Sequence, residues 1–173
     1  MTPEERSQQK KRADKLEKWF ANDLGGFKVP RSGAGESLKG DVYVGEYFID
    51  SKHTMKSTIK LMSEDITVCH KQARSMGKEG HLILTFFQED SHWGVVPEKY
   101  FDVRDDLKYF DLSINKSKQI SKSYLTSCSK KAKKEGKYMC VRVTQNMPYL
   151  GVPKEWLILP YNYYKEILEE VNE

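Results

Sequence analysis

The chain has 173 residues, 31% of them charged, and a net charge of +4. That length sustains one substantial core and reads as a single domain, its core over about residues 1–105 and an elaborated end over about 106–173. The small net charge excludes a polycation, and the longest apolar run, Leu82 to Phe87 with Thr85 inside it, is far short of a membrane span. The polar N-terminus has no apolar stretch of the signal-peptide kind. Cys69, Cys128 and Cys140 show no Cys-x-x-Cys spacing and read as reduced thiols of a cytoplasmic protein. His53, His70, His81 and His92 do not pair with them at zinc-finger intervals, which argues against a structural zinc.

Thr2-Pro3-Glu4-Glu5 combines an N-cap residue, a proline at the first helical position and a glutamate three residues after the cap. The spacing predicts a helix to about Leu24, stopped by Gly25-Gly26, with Ala13, Leu16, Phe20 and Leu24 as its apolar stripe. Glu17 borders that stripe, so it either leans over a sheet or sits in water. Residues 29–39 read as a loop rich in Gly and Ser, containing Arg31, Ser32, Gly33, Gly35, Glu36 and Ser37. Its glycines allow backbone N–H groups to approach a phosphate that Arg31 would hold through two parallel hydrogen bonds. A plain flexible connection fits the same residues.

Val42-Tyr43-Val44 and Tyr47-Phe48-Ile49 flank Gly45-Glu46, the pattern of a two-residue hairpin with a type II′ turn. With that turn Asp41 lies directly across from Asp50, and facing side chains share a face with Cβ atoms about 5 Å apart. Strand period places Lys52 on the same face as Asp50 and turns Ser51 away. Like charges in that position destabilise a sheet, and a divalent cation between them removes the conflict. Two carboxylates with an amine at their edge suit Mg²⁺, which keeps several waters and leaves room for a phosphate. Glu36, five residues before Asp41, is a rival third acid from the loop.

Beyond Lys52 the sequence predicts a strand over Ser57 to Leu61 and a helix capped by Ser63, running to Met76 and ending at Gly77. Ile66, Cys69, Ala73 and Met76 mark its buried side, with Gln72 at the edge. Strands follow at His81 to Phe87 and Trp93 to Val96, with Pro97 opening a short turn around Tyr100 and Phe101. Lys78-Glu79-Gly80 is echoed 56 residues later by Lys134-Glu135-Gly136, and Val95-Val96-Pro97 by Ile158-Leu159-Pro160. A small internal duplication of a strand-strand-Pro-helix unit would leave such an echo, but so few matches are more simply ascribed to chance or to shared strand-end chemistry. From Ser113 to Lys137, Lys116, Lys118, Lys122, Lys130, Lys131, Lys133, Lys134 and Lys137 face the single acid Glu135, interleaved with serines. Such a surface suits contacts to a phosphate backbone, or else a solvated face. An amphipathic helix, Tyr161 to Val171, ends the pattern.

Glu17, Gly26-Phe27, Arg31-Ser32-Gly33, Asp41 and Asp50-Ser51-Lys52, in that order, resemble the PD-(D/E)xK nuclease superfamily, and within it the Holliday junction resolvases of archaea and phages. The likeness runs through Gln72; Gly40 stands where many members have proline, and Asp50 where glutamate is commoner. The resemblance implies an α/β fold with a mixed central β-sheet flanked by helices. It implies a Mg²⁺ site, with Mn²⁺ as substitute, held by Asp41 and Asp50 with Glu17 as a further ligand. Within the likeness, as the resemblance implies, Lys52 and Gln72 would complete the catalytic set and Arg31 and Ser32 would contact DNA. The lysines from Lys116 to Lys134 lie beyond the likeness and suit contacts to DNA by their own chemistry. The resemblance further implies cleavage of branched DNA to 5′-phosphate and 3′-hydroxyl ends by a homodimer. The same residues suit a restriction-like, nicking or end-processing enzyme on linear duplex, and a non-catalytic DNA-binding module is the reading from another class.

Overall fold

Helix α1 (Pro3–Leu24) starts as the capping box dictates: Glu5 N–H donates to Thr2 Oγ1 at 3.1 Å and Thr2 N–H to Glu5 Oε2 at 3.0 Å. Gly25 closes it at φ 73°. The computed structural model describes residues 2–28, 41–100 and 105–171, and of Asp41, Glu89, Tyr100 and Val171 the backbone alone. Arg31, Ser32, Gly33, Gly35, Glu36 and Ser37 lie outside the described residues.

Strand β1 (Phe27–Lys28) pairs with the hairpin β2 (Asp41–Val44) and β3 (Tyr47–Thr54). The hairpin has the register that its turn demands, Val44 opposite Tyr47 and Asp41 opposite Asp50. Gly45 takes φ 56° while Glu46 stays at negative φ, as a II′ turn requires. Then come β4 (Thr58–Met62), α2 (Ser63–Ser75), β5 (Glu79–Phe86), β6 (Ser91–Pro97), β7 (Leu107–Ile114), β8 (Ser117–Ser121), α3 (Lys122–Lys134), β9 (Tyr138–Gln145), β10 (Glu155–Pro160) and α4 (Tyr161–Val171). The central mixed sheet runs β1-β2-β3-β5-β6-β10-β9-β7, and β4 pairs with β8 in a separate two-stranded ribbon. The protein is thus α/β, with a mixed central sheet and helices packed on it.

Two local expectations are corrected. Ser63 is the first residue of α2 and does not cap it; its backbone N–H donates to Lys116 O at 2.9 Å and its hydroxyl to Asn115 O at 3.2 Å. Met76 stays exposed at the C-terminal end of the same helix, beyond the buried side formed by Ile66, Cys69 and Ala73.

The echo of Val95-Val96-Pro97 in Ile158-Leu159-Pro160 is structural, on the paired strands β6 and β10, whereas the Lys-Glu-Gly match is out of register. Lys78-Glu79-Gly80 leads into β5, whereas Lys134-Glu135-Gly136 closes α3; the matching glycines are Gly77 and Gly136, at φ 67° and 68° just past α2 and α3. Two ββαββ units, β3-β4-α2-β5-β6 and β7-β8-α3-β9-β10, are related by a pseudo-two-fold axis. In the central ladder Trp93 pairs with Pro160 and Trp156 with Pro97, about the facing pair Val95 and Ile158. In the ribbon Thr58 pairs with Ser121 and Met62 with Ser117, about Lys60 and Gln119. Ser63 N–H to Lys116 O is matched by Lys122 N–H to Ser57 O, both 2.9 Å. Each unit joins its first and fourth elements in parallel, β3 with β5 and β7 with β9.

Apolar alternation along the strands builds two cores. On one face, Phe48, Leu82, Leu84, Val95, Val141 and Trp156 meet α2, α3 and the ribbon; on the other, Val42, Ile49, Ile83 and Leu157 meet α1 and α4. Gly94 on β6 has no room for a side chain, because a Cβ there would lie 2.5 Å from Cγ of the fully buried Tyr164. Gly94→Ala is therefore expected to cost about 2 kcal/mol in urea unfolding. An unchanged midpoint would mean that α4 yields freely.

Candidate active site

Asp50 and Lys52 sit where β3 runs out under the start of α2. Asp50 and Lys52 follow Phe48 onto the α2 face, while Ile49 points to α1. The neighbour of Asp50 on β5 is the fully buried Leu82. Its carboxylate is only 16% exposed. Burial pushes its pKa up to about 6; Lys52 and the Ser51 N–H work against that shift, and the charges of Asp65 and Glu17 add to it. Lys52 Nζ lies 4.0 Å from Asp50 Oδ2 and donates to Asp65 Oδ1 at 3.1 Å. Burial opposes the Lys52 charge, but Asp50 and Asp65 outweigh it and hold its pKa above the ordinary lysine value. Lys52 is therefore an ammonium that offers hydrogen bonds and charge, with no free pair for proton abstraction.

The second unit supplies an internal control. β3 ends at Thr54 opposite Phe86 and β7 at Ile114 opposite Gln145, so Asp50 and Lys52 correspond to Phe110 and Leu112. Asp65, third residue of α2, corresponds to Tyr124, third residue of α3. Phe110, Leu112 and Tyr124 all pack against the apolar core. The same backbone is thus satisfied by three apolar or aromatic side chains, and the charged cluster in the first unit is not required by the fold.

The remaining sequence candidates are dispersed. Glu17 is buried on α1, where Lys28 Nζ lies 3.3 Å from its Oε2 and the same distance from Asp14 Oδ1. Its charge is nonetheless felt at Asp50. Gln72 stands two helical turns beyond Asp65, about 10 Å along the axis, and so is not brought to the Lys52–Asp65 contact. Lys116 and Lys118 are exposed on the β7–β8 turn and β8, and Lys133 on α3. Lys122, Lys130, Lys131 and Lys134 line one groove. Asp65 and Lys28 were missed as partners. Asp65 reads locally as an ordinary acid of a helix's first turn, and only packing of α2 on β3 discloses its partner.

No family model, curated protein or solved structure matches the chain. The candidate site thus stands on its own chemistry. Among the described residues no group of three or more His, Cys, Asp or Glu side chains is placed to hold a metal ion. Mg²⁺ needs no such cage, since it is held by one or two carboxylates and completes its shell with water and phosphate. The described residues are compatible with it: Asp50 offers a desolvated hard oxygen donor whose ionisation the protein alone does not favour, and the Asp41 backbone lies directly opposite. No helix of the described residues is long and apolar enough to cross a membrane.

Proposed function

We propose that the chain is a Mg²⁺-dependent endodeoxyribonuclease acting on branched DNA, resembling the Holliday junction resolvases. What carries this reading is the cluster Asp50, Lys52 and Asp65 at positions where the second unit has Phe110, Leu112 and Tyr124. A buried acid with a raised pKa beside a fixed ammonium costs stability, a cost that supports the reading of a working site.

Asp41 and Asp50 would hold the metal, which when bound polarises the scissile phosphate and supplies a hydroxide-like water. Lys52, fixed by its hydrogen bond to Asp65, points charge at the phosphate oxygens. It stabilises the negative charge that grows there as the bond breaks. Asp50 must be ionised to serve as a ligand, so the site is weakened as pH falls below about 6. Glu17, with Lys28 as counter-ion, enters as a buried charge that tunes Asp50.

Among the described residues one chain carries one such cluster, so paired cuts across a junction call for two chains, as the resemblance implies. The test is incubation with a four-way junction and with a linear duplex of the same sequence, with Mg²⁺ or with EDTA. Metal-dependent cleavage favouring the junction is expected. Equal cutting of linear duplex would move the substrate to the restriction-like or nicking class, and no cutting of either would remove the nuclease reading.

A further inference from the structure

The second unit lacks the cluster of Asp50, Lys52 and Asp65 but carries what the first lacks. On α3, Lys122, Thr126, Lys130 and Lys134 recur every four residues, beside Ser123, Ser127 and Lys131, and with Ser57 they line an open groove of about 610 Å³. From Lys122 to Lys134 the row covers about 18 Å of helix axis. Residues 116–134 contain no acid, and Glu135, just beyond, is paired with Lys108. The groove's lining is Lys, Ser and Thr, groups that hold phosphate oxygens, and no aromatic ring on which an unpaired base could stack is among its described lining residues.

The groove is tied to the site by the backbone. Lys122 N–H donates to Ser57 O at 2.9 Å, and Ser57 is in the turn that leaves β3 five residues after Lys52. Exposed Lys56 and Lys60 lie along this path. The pseudo-two-fold axis shows that the groove is one-sided. The corresponding row on α2 is Ser63, Thr67, Lys71 and Ser75, beside Glu64, Val68 and Gln72, so one lysine stands where α3 has four.

We infer that α3 is a track for the sugar-phosphate backbone of double-helical DNA, carrying the duplex away from the Asp50–Lys52 site on one side only. The choice of DNA rests on the nuclease reading; the track itself rests on the lysine rows and their junction with β3. Unit one thus acts on the backbone, and unit two holds the flank.

The experiment is binding of a labelled duplex of about 20 base pairs in EDTA, across a salt series, so that cleavage plays no part. The full-length protein is compared with Lys122→Gln/Lys130→Gln/Lys131→Gln/Lys134→Gln and with a charge-matched variant of exposed lysines on α1, Lys10→Gln/Lys11→Gln/Lys15→Gln/Lys18→Gln. Melting curves for all three check that each is folded. The α3 variant is expected to lose roughly 30-fold or more in affinity near 100 mM salt, with a log–log salt slope shallower by about 3 to 4. The α1 variant is expected to stay within about three-fold at the same salt. Equal losses in both variants, or none in the α3 variant, would overturn the track. Tighter binding of single strands or of duplex RNA than of duplex DNA would overturn the assigned occupant. If binding depends on α3 but the wild type never cleaves, the track stands and the nuclease reading falls; if cleavage is metal-dependent but binding ignores α3, the reverse holds.

Discussion

In metal-free buffer near pH 8, Asp50→Asn is expected to stabilise the protein by about 3 kcal/mol. The carboxylate ionises near 3.8 when unfolded and at about 6 when buried against Leu82 beside Asp65 and Glu17. Between those values the folded state holds a proton that the unfolded state has released, so stability falls as pH rises. Above about 6 the full penalty is present; below about 4 it is gone, and wild type and variant should unfold alike if no other group differs. Lys52 keeps Asp65 at 3.1 Å in the variant, so the loss of its 4.0 Å neighbour offsets little of the gain. Urea unfolding near pH 4 and near pH 8 checks this. Millimolar Mg²⁺ should restore stability to the wild type and leave the variant unchanged. A variant no more stable than wild type at the higher pH would show that Asp50 is comfortably solvated, and the case for a strained metal ligand would go with it.

Lys52→Ala is expected to lower cleavage by about 10³-fold or more while changing duplex affinity in EDTA less than about three-fold. The ammonium contributes where charge builds during bond breaking, whereas the α3 lysines supply most of the binding. Asp65→Ala is the graded comparison. Lys52 then retains Asp50 but loses its 3.1 Å hydrogen bond, so a roughly ten-fold fall is expected in kcat with KM little changed. Cleavage by the Lys52→Ala protein at the wild-type rate would contradict the mechanism directly.

Local rules made part of this molecule readable in advance. Gly45-Glu46 fixes a two-residue turn, and from it the register that sets Asp41 opposite Asp50 follows by counting. Thr2, Pro3 and Glu5 likewise determine where α1 begins. What remained hidden depends on packing between distant segments. Lys52 meets Asp65 only because α2 folds back over the end of β3, and Glu17 meets Lys28 because α1 lies along β1. The pseudo-two-fold relation was obscured for a similar reason. Its strongest marker, Trp93 and Pro97 against Trp156 and Pro160, is a pairing across the sheet, while the more conspicuous Lys-Glu-Gly repeat joins a strand start to a helix end. β4 satisfies every local strand signal, yet it leaves the central sheet to pair with β8, a partner far along the chain. The position of Gln72 at the edge of a stripe was legible, but not its height on the helix relative to Lys52.

Anomalous diffraction from crystals grown with Mn²⁺ tests most directly whether these acids form a metal centre. A peak between the carboxylates of Asp41 and Asp50, with oxygen ligands at about 2.1 Å and Lys52 beside it, is the result expected here. A well-ordered Asp41–Asp50 pair with no peak, or the ion bound at some other cluster, would contradict it.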